Sequence, residues 1–366
     1  MTARTPTPLH VYGSKISYFT GKLEGYLRYK EIPYTFVPMT PLVRNKVGRR
    51  TGTTQMPAVE LPDGRWMTDT TPMIAWFESQ YPAPAVISAD PLQAFASRLV
   101  EDYADEWLWR PALHYRWSYR GDALLLSRRI VDEIVPAVPL PGFVKRFAIR
   151  QRQIRGYVRG DGITAATREH VESIYLRSLD QLEAIFRARP FLLGARPTLA
   201  DFGFFASMFR HFGLDPTPTA IMLERAPAVY AWLARVWNAR ASQASDALET
   251  GVPADWGPIL REIGDGYLPY LSANADAWKG RAKRFDVELQ GARYQRLPVS
   301  RYRVWCLERL RAHFEGLAPD AQQQARMLLE TNGCWEPFWR VEAPASGYDP
   351  AGEAPFARGL PVFRSA

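Results

Sequence analysis

Short apolar runs fill the first eighty residues, and beyond them apolar positions recur every three or four residues. Residues 9–13, LHVYG, predict a short buried strand closed by a turn residue. Phe19, Leu23, Tyr26 and Leu27 carry helical spacing over 18–30, although Gly21 and Gly25 weaken a helix interior. Residues 32–37, IPYTFV, predict the next strand, and a strand-helix-strand order makes the two strands parallel. The stretch 41–54, with Arg44, Lys46, Arg49 and Arg50, has no apolar period and reads as irregular. MPAVEL at 56–61 and RWMT at 65–68 flank Asp63-Gly64, which is hairpin turn chemistry. Met73 to Tyr81 is helical again, ended by Pro82 and Pro84. The order βαβ then ββα predicts a mixed sheet covered by helices.

A linker is expected at 82–91 and an aromatic-rich helical stretch at 92–119. Further helices are expected at 123–135, 143–159, 165–188, 199–212 and 227–239. Residues 256–284 read as helical with a kink at Pro269. A hairpin turning at Gln290-Gly291 is expected within 285–298, followed by helices at 300–314 and 320–332 and a coil tail from 343. The chain therefore divides into an α/β unit at 8–83, an all-helical unit at 92–245, and a mainly helical extension at 250–366.

Composition changes this picture little. At 366 residues and 47% hydrophobic, the chain can build a large core. Its formal charge of +8 suits an anionic ligand but does not make a nucleic-acid surface, and no nucleic-acid partner is expected. Arg146, Arg150, Arg152, Arg155 and Arg159 read as a solvated helix face. No apolar run reaches the roughly 20 residues of a bilayer span, and no membrane partner is expected. Met1-Thr2-Ala3-Arg4-Thr5-Pro6 leads into no long apolar region, so no signal peptide is expected, and a cytoplasmic setting follows by default. Cys306 and Cys334 make no disulfide framework or metal set, and they read as small buried hydrophobes. No metal site is expected.

Three patterns could carry chemistry. Gly13-Ser14-Lys15-Ile16-Ser17-Tyr18-Phe19-Thr20 places hydroxyls at a helix N-terminus, where they either cap and pack or hold a bound thiolate. Pro57 starts a strand, where the residues alone favour an ordinary trans bond. Asp69-Thr70-Thr71 precedes a helix, and its orphan N–H groups are either capped or open to a ligand carboxylate. Thr198 and Asp201 form a short capping box. Trp76 and the aromatics of 103–119 read as core, with a second-substrate pocket as the alternative.

In order and spacing these segments resemble the glutathione transferase superfamily. VYGSKISYFTGKLEGYLRYKEIPYTFV is similar to its opening strand, active-site turn and first helix. Met56-Pro57-Ala58-Val59 is similar to its cis-proline segment, Asp69 to Phe77 to its acidic-Ser segment, and Phe191 to Asp201 to the capping segment of its second domain. The resemblance covers about residues 8–240. It implies a thioredoxin-like N-terminal domain followed by an all-helical glutathione-transferase-type domain, with glutathione as cosubstrate, a hydrophobic electrophilic small molecule as partner, and a homodimer. It also implies that Ser17, or in another frame Tyr18, activates the thiol. Asp69 and Thr70 would bind the γ-glutamyl end, and Met56, Pro57 and Ala58 the cysteinyl portion, with Ser14 beside them. Departures are the absence of Cys from the turn, Thr70 where the family has Ser, and Tyr18 where proline often follows. The implied activity is conjugation of glutathione to an electrophile. The alternatives are glutathione binding with little turnover, or glutathione-dependent lyase or reductase chemistry.

Overall fold

The computed structural model describes residues 8–342 and 344–359. The signal-peptide expectation at 1–6 and the end of the tail, 360–366, lie outside the described residues. In the first unit, β1 (Leu9–Gly13) leads through α1 (Tyr18–Tyr29) to β2 (Tyr34–Pro38). The two strands run parallel, with Val11 opposite Phe36. α2 (Pro41–Thr51) follows, then the antiparallel pair β3 (Ala58–Glu60) and β4 (Trp66–Thr68), then α3 (Thr70–Gln80). The sheet order β2-β1-β3-β4 is that of a thioredoxin-like domain.

α2 corrects the irregular stretch expected at 41–54. Only Val47 and Thr51 are buried on it, so it has no apolar stripe to betray it. Its signals were its ends: Pro41 in the first turn, and Gly52 at φ 75 as the left-handed cap. Met56-Pro57 is cis, as the family resemblance implies and against the trans form favoured by the residues alone. Gly25, unfavourable for helix propensity, permits close packing instead: a Cβ there would lie 2.7 Å from the Phe205 ring.

The second unit comprises α4 (Pro91–Glu106), α5 (Trp109–Ser118), α6 (Arg120–Ile134), α7 (Gly142–Gln153), α8 (Arg168–Ala188), α9 (Leu199–Ser207), α10 (Pro216–Arg225) and α11 (Pro227–Asn238). Of these, α10 had not been expected. Every residue of α9 is buried, and the helix packs against both α1 and α4. Its capping box closes as expected: the Thr198 N–H donates to Asp201 Oδ2 at 2.9 Å. Asp201 also receives the Leu192 N–H at 3.0 Å and the Trp232 indole N–H at 3.1 Å.

The extension begins with α12 (Gly257–Glu262), a π-helical turn (Ile263–Tyr267) and α13 (Leu268–Lys279). The π turn, rather than Pro269, interrupts this helix. β5 (Arg284–Leu289) and β6 (Ala292–Pro298) form the expected hairpin, followed by α14 (Arg301–Glu315), α15 (Pro319–Thr331) and α16 (Trp335–Trp339). Both α14 and α15 pack on α4. The tail then returns to the first unit. The Thr68 N–H donates to the Pro355 carbonyl at 3.2 Å, and the Gly359 N–H to the Thr51 carbonyl at 3.0 Å. Trp76 meets Phe356 edge-on there, which makes it a docking residue for the tail. Cys306 and Cys334 are both buried.

Charged side chains lie between the three parts. Lys22 of α1 pairs with Glu101 at 2.6 Å and with Asp105, both on α4. Arg303 of α14 donates to Glu106 at 2.9 Å and to the Tyr270 hydroxyl, and lies 3.7 Å from Asp161. Arg110 donates to the Asp161 carbonyl at 3.0 Å and pairs with its carboxylate at 3.3 Å. Removing one partner from such a buried set leaves an uncompensated charge. Arg303→Leu is therefore expected to cost about 3–5 kcal/mol in denaturant unfolding. Adding Glu106→Gln should restore part of that loss, and a purely additive double variant would contradict the coupling.

Candidate functional site

One cavity of about 840 Å³ opens where the first unit, the helical unit and the extension meet. Ser14, Ser17, Tyr18, Met56, Pro57, Asp69 and Thr70 all line it. Ala58 does not: it is buried in the sheet, opposite Tyr12 on one side and Thr68 on the other. Ser17 is the N-cap of α1, and its Oγ accepts from the Thr20 N–H at 3.4 Å. As an acceptor in that bond, its hydroxyl keeps its own proton available for donation. Tyr18 is 1% exposed and donates its hydroxyl to the Ala104 carbonyl. Burial, reinforced by Asp105, pushes its pKa well above the ordinary phenol value.

The turn that carries Ser17 is held from the helical unit. Arg116 donates to the Ile16 carbonyl at 2.8 Å, and Arg210 donates to the Lys15 carbonyl. Glu133 of α6 accepts from Ser14 Oγ at 2.8 Å and from the Lys15 N–H at 2.7 Å. Arg116 is itself fixed by Asp215 at 2.7 and 2.9 Å. His211 lies 2.9 Å from Arg116, and burial together with that cation holds its pKa well below the usual imidazole value. Neutral at physiological pH, it cannot serve as a charged acid here.

Asp69 caps α3 from a left-handed conformation, φ 74, and accepts from the Thr71 N–H at 3.3 Å. Its other oxygen accepts from Tyr302 of α14 at 2.9 Å. Loss of solvent pushes the Asp69 carboxyl up to about 7, against the lowering effect of the Tyr302 hydroxyl, of Lys22 and of the Thr71 N–H. The acidic end of the cavity also includes Asp105 and Glu106.

The opposite wall is apolar, with Ile16, Phe19, Trp109, Leu113, Trp117, Ile130 and Tyr157. Phe19 and Trp109 stack with centroids 5.9 Å apart. Of the aromatic stretch, Tyr103 and Trp107 are core, and only part of it faces the cavity. The lining continues to Ile149 and Arg152 of α7 and to Tyr157. No residue of α7 is buried, so the basic helix is a surface element with Arg152 at the cavity. Sequence reading missed Arg44, Thr53 and Gln55 near α2, Asp105 and Glu106 on α4, and Tyr302 and Tyr348 from the extension. Local pattern held no signal for Tyr302, which lies 233 positions from its partner. Among the described residues no cluster could hold a metal ion, and no helix is long and apolar enough to cross a membrane.

Residues 11–85 match the family profile "Glutathione S-transferase, N-terminal domain", and residues 165–235 match "Glutathione S-transferase, C-terminal domain". The fold is that of the glutathione transferase superfamily: a thioredoxin-like domain followed by an all-helical domain. Similar solved structures include a glutathione-transferase-like protein from Pseudomonas syringae, 18% identical over 68% of this chain and 77% of its own, with a TM-score of 0.43. A glutathione S-transferase from Methylobacterium radiotolerans in complex with glutathione sulfonate is 19% identical over 63% of this chain and 90% of its own, with a TM-score of 0.39. The beta-etherase LigF from Sphingobium is 19% identical over 63% and 95%, with a TM-score of 0.42. No curated protein matches the chain.

The Asp69 environment predicts a pH dependence. Its folded pKa of about 7 exceeds the unfolded carboxyl value of about 4. Its stability contribution is therefore fully present below about pH 4 and is lost as pH rises through 7. The melting temperature of wild type relative to Asp69→Asn should fall between about pH 4 and 7 and level off above. Tyr302→Phe removes a hydrogen bond that lowers this pKa, so it should move the window upward. A difference that stays flat with pH would contradict the assignment.

Proposed function

We propose that the protein binds glutathione in this cavity and adds its thiolate to an apolar electrophile. One observation carries the reading: a single cavity joins the N-terminus of α1 with Ser17, the N-terminus of α3 with Asp69 and Thr70, and an aromatic wall. The first would hold the thiol, the second the γ-glutamyl end, and the third the electrophile. The hydroxyl and N–H of Thr70 suit a carboxylate, since the Thr71 N–H is taken by Asp69 and Pro72 has none, and Asp69 suits an ammonium. Met56 and Pro57 lie on the same cavity, where the cysteinyl portion would pass.

Ser17 is the preferred activating group. Its free hydroxyl proton and the positive end of α1 both stabilise a thiolate over a thiol. The thiol proton leaves to solvent. The sulfur lone pair forms the new C–S bond, and the displaced group departs with its bonding electrons. Arg116, Arg210 and Glu133 hold the turn rigid, so the donor needs little reorganisation when charge develops on sulfur. Tyr18 is disfavoured because its hydroxyl is committed to Ala104.

Binding with little turnover is a second reading, and it rests on Tyr302. Its hydroxyl occupies one oxygen of Asp69 and leaves the other lone pairs for the glutathione ammonium, so the peptide could still bind but shifted from the placement that sets its thiol at Ser17. Calorimetry with glutathione, followed by turnover with an activated chloronitrobenzene, separates the two readings. Binding with conjugation supports the first and binding alone the second. A folded protein that binds no glutathione sinks both. If the first holds, Ser17→Ala should raise the pKa of the bound thiol and slow conjugation about tenfold or more at pH 7. Tyr18→Phe should leave the thiol pKa unchanged.

A further inference from the structure

Every other helix of the second unit buries part of one face, but α7 buries no residue. Its inner side is accounted for. Lys145 donates to the carbonyls of Val135, Pro136 and Val138 at 3.1, 3.3 and 3.2 Å, which ties the helix to the end of α6. Ile149 and Arg152 follow Lys145 on the same stripe and line the cavity. Phe143 and Phe147 lie on the other side of the helix, on one stripe with Arg146 and Arg150, and neither ring lines the cavity. Phe143 is 68% exposed, Phe147 56%, and Leu140, in the turn before the helix, 53%. The charge is equally one-sided. Residues 136–160 contain Lys145 and five arginines but no Asp or Glu, which is +6 of the chain's formal +8. Among the described residues none of those arginines has a carboxylate partner. The flanking pairs Arg128–Asp132 and Arg168–Glu172 lie outside the stretch.

We propose that the outer face of α7, with the turn before it, docks on an anionic lipid bilayer. Leu140, Phe143 and Phe147 enter the boundary between headgroups and acyl chains, and Arg146 and Arg150 meet the lipid anions. The long arginine stems let the guanidinium groups stay among the headgroups while the rings go deeper. Other partners fit less well. A nucleic acid would satisfy the arginines but leave the rings in water. Pairing of this face with itself in a second copy would cover the rings but set the same cations against one another. An anionic lipid surface answers both the apolar and the cationic groups. That no helix is long and apolar enough to cross a membrane does not bear on this, because a helix lying in the interface needs no span. The proposal goes beyond the glutathione reading and does not depend on it.

Cosedimentation of the full chain with lipid vesicles tests this. Wild type should bind equimolar phosphatidylserine–phosphatidylcholine vesicles about tenfold or more tightly than pure phosphatidylcholine, and binding should weaken as salt rises. Phe143→Ser with Phe147→Ser should lower affinity for the anionic vesicles about tenfold or more. The melting temperature of that variant should stay unchanged, because both rings are exposed. Arg146→Gln with Arg150→Gln should lower the affinity about tenfold and flatten its salt dependence. Wild type that leaves the anionic vesicles unbound overturns the proposal. A double phenylalanine variant that binds them as well as wild type also overturns it, because charge alone would then account for the adsorption. Wild type that ignores the vesicles but binds duplex DNA, or that self-associates through Phe143 and Phe147, assigns the face to another partner and overturns it too. None of these failures touches the glutathione reading.

Discussion

The C-terminal end of α4 carries four carboxylates in two pairs, Glu101 with Asp105 and Asp102 with Glu106, each spaced by four residues. That spacing puts each pair on one helical stripe. Like charges so placed destabilise an isolated helix, so α4 depends on the groups that meet them. The first stripe receives Lys22 from the thioredoxin-like domain. The second receives the Tyr267 hydroxyl at 2.6 Å and Arg303, both from the extension. Three parts of the chain thus converge on one helix through charges that none of them could bury alone.

The cavity inherits its geometry from this convergence. α4 presents Asp105 and Glu106 to it because Lys22 and Arg303 hold the helix from either side. The Ser17 turn is likewise clamped by groups of the helical domain, Arg116, Arg210 and Glu133. The hydroxyl that would face the thiol belongs to one domain, and the groups that orient it belong to the other. The extension contributes Tyr302 and Tyr348 to the same cavity, and its tail lies along β4. The extension and the first unit meet at Asp69, whose carboxyl touches both α3 and α14.

Much of this was legible in order and spacing. The βαβ and ββα pattern, the periodic helices after residue 90, and the hairpin at Gln290-Gly291 are local signals, because each element repeats its apolar positions or marks its turn with special residues. The turn with Ser17 and the Asp69-Thr70 segment stood out because helix N-termini have their own chemistry. α2 escaped because almost nothing on it is buried, and α10 because its only buried positions are Pro218 and Met222. Ser17 and Tyr18 could not be separated by spacing. The packing separates them: one hydroxyl caps a helix with its proton free, and the other is sealed against Ala104.

The sequence by itself determined most of the element types, the thioredoxin-like start, the helical continuation and the helix ends at Ser17 and Asp69. These follow from short-range rules, in which a residue's neighbours within a few positions decide the outcome. Only the tertiary structure decided that Tyr302 reaches Asp69, that Asp105 keeps one oxygen unpaired, and that Trp76 serves the tail rather than a pocket. Those facts depend on contacts between residues as many as 280 positions apart, and on burial that changes the chemistry of a carboxyl without changing its identity.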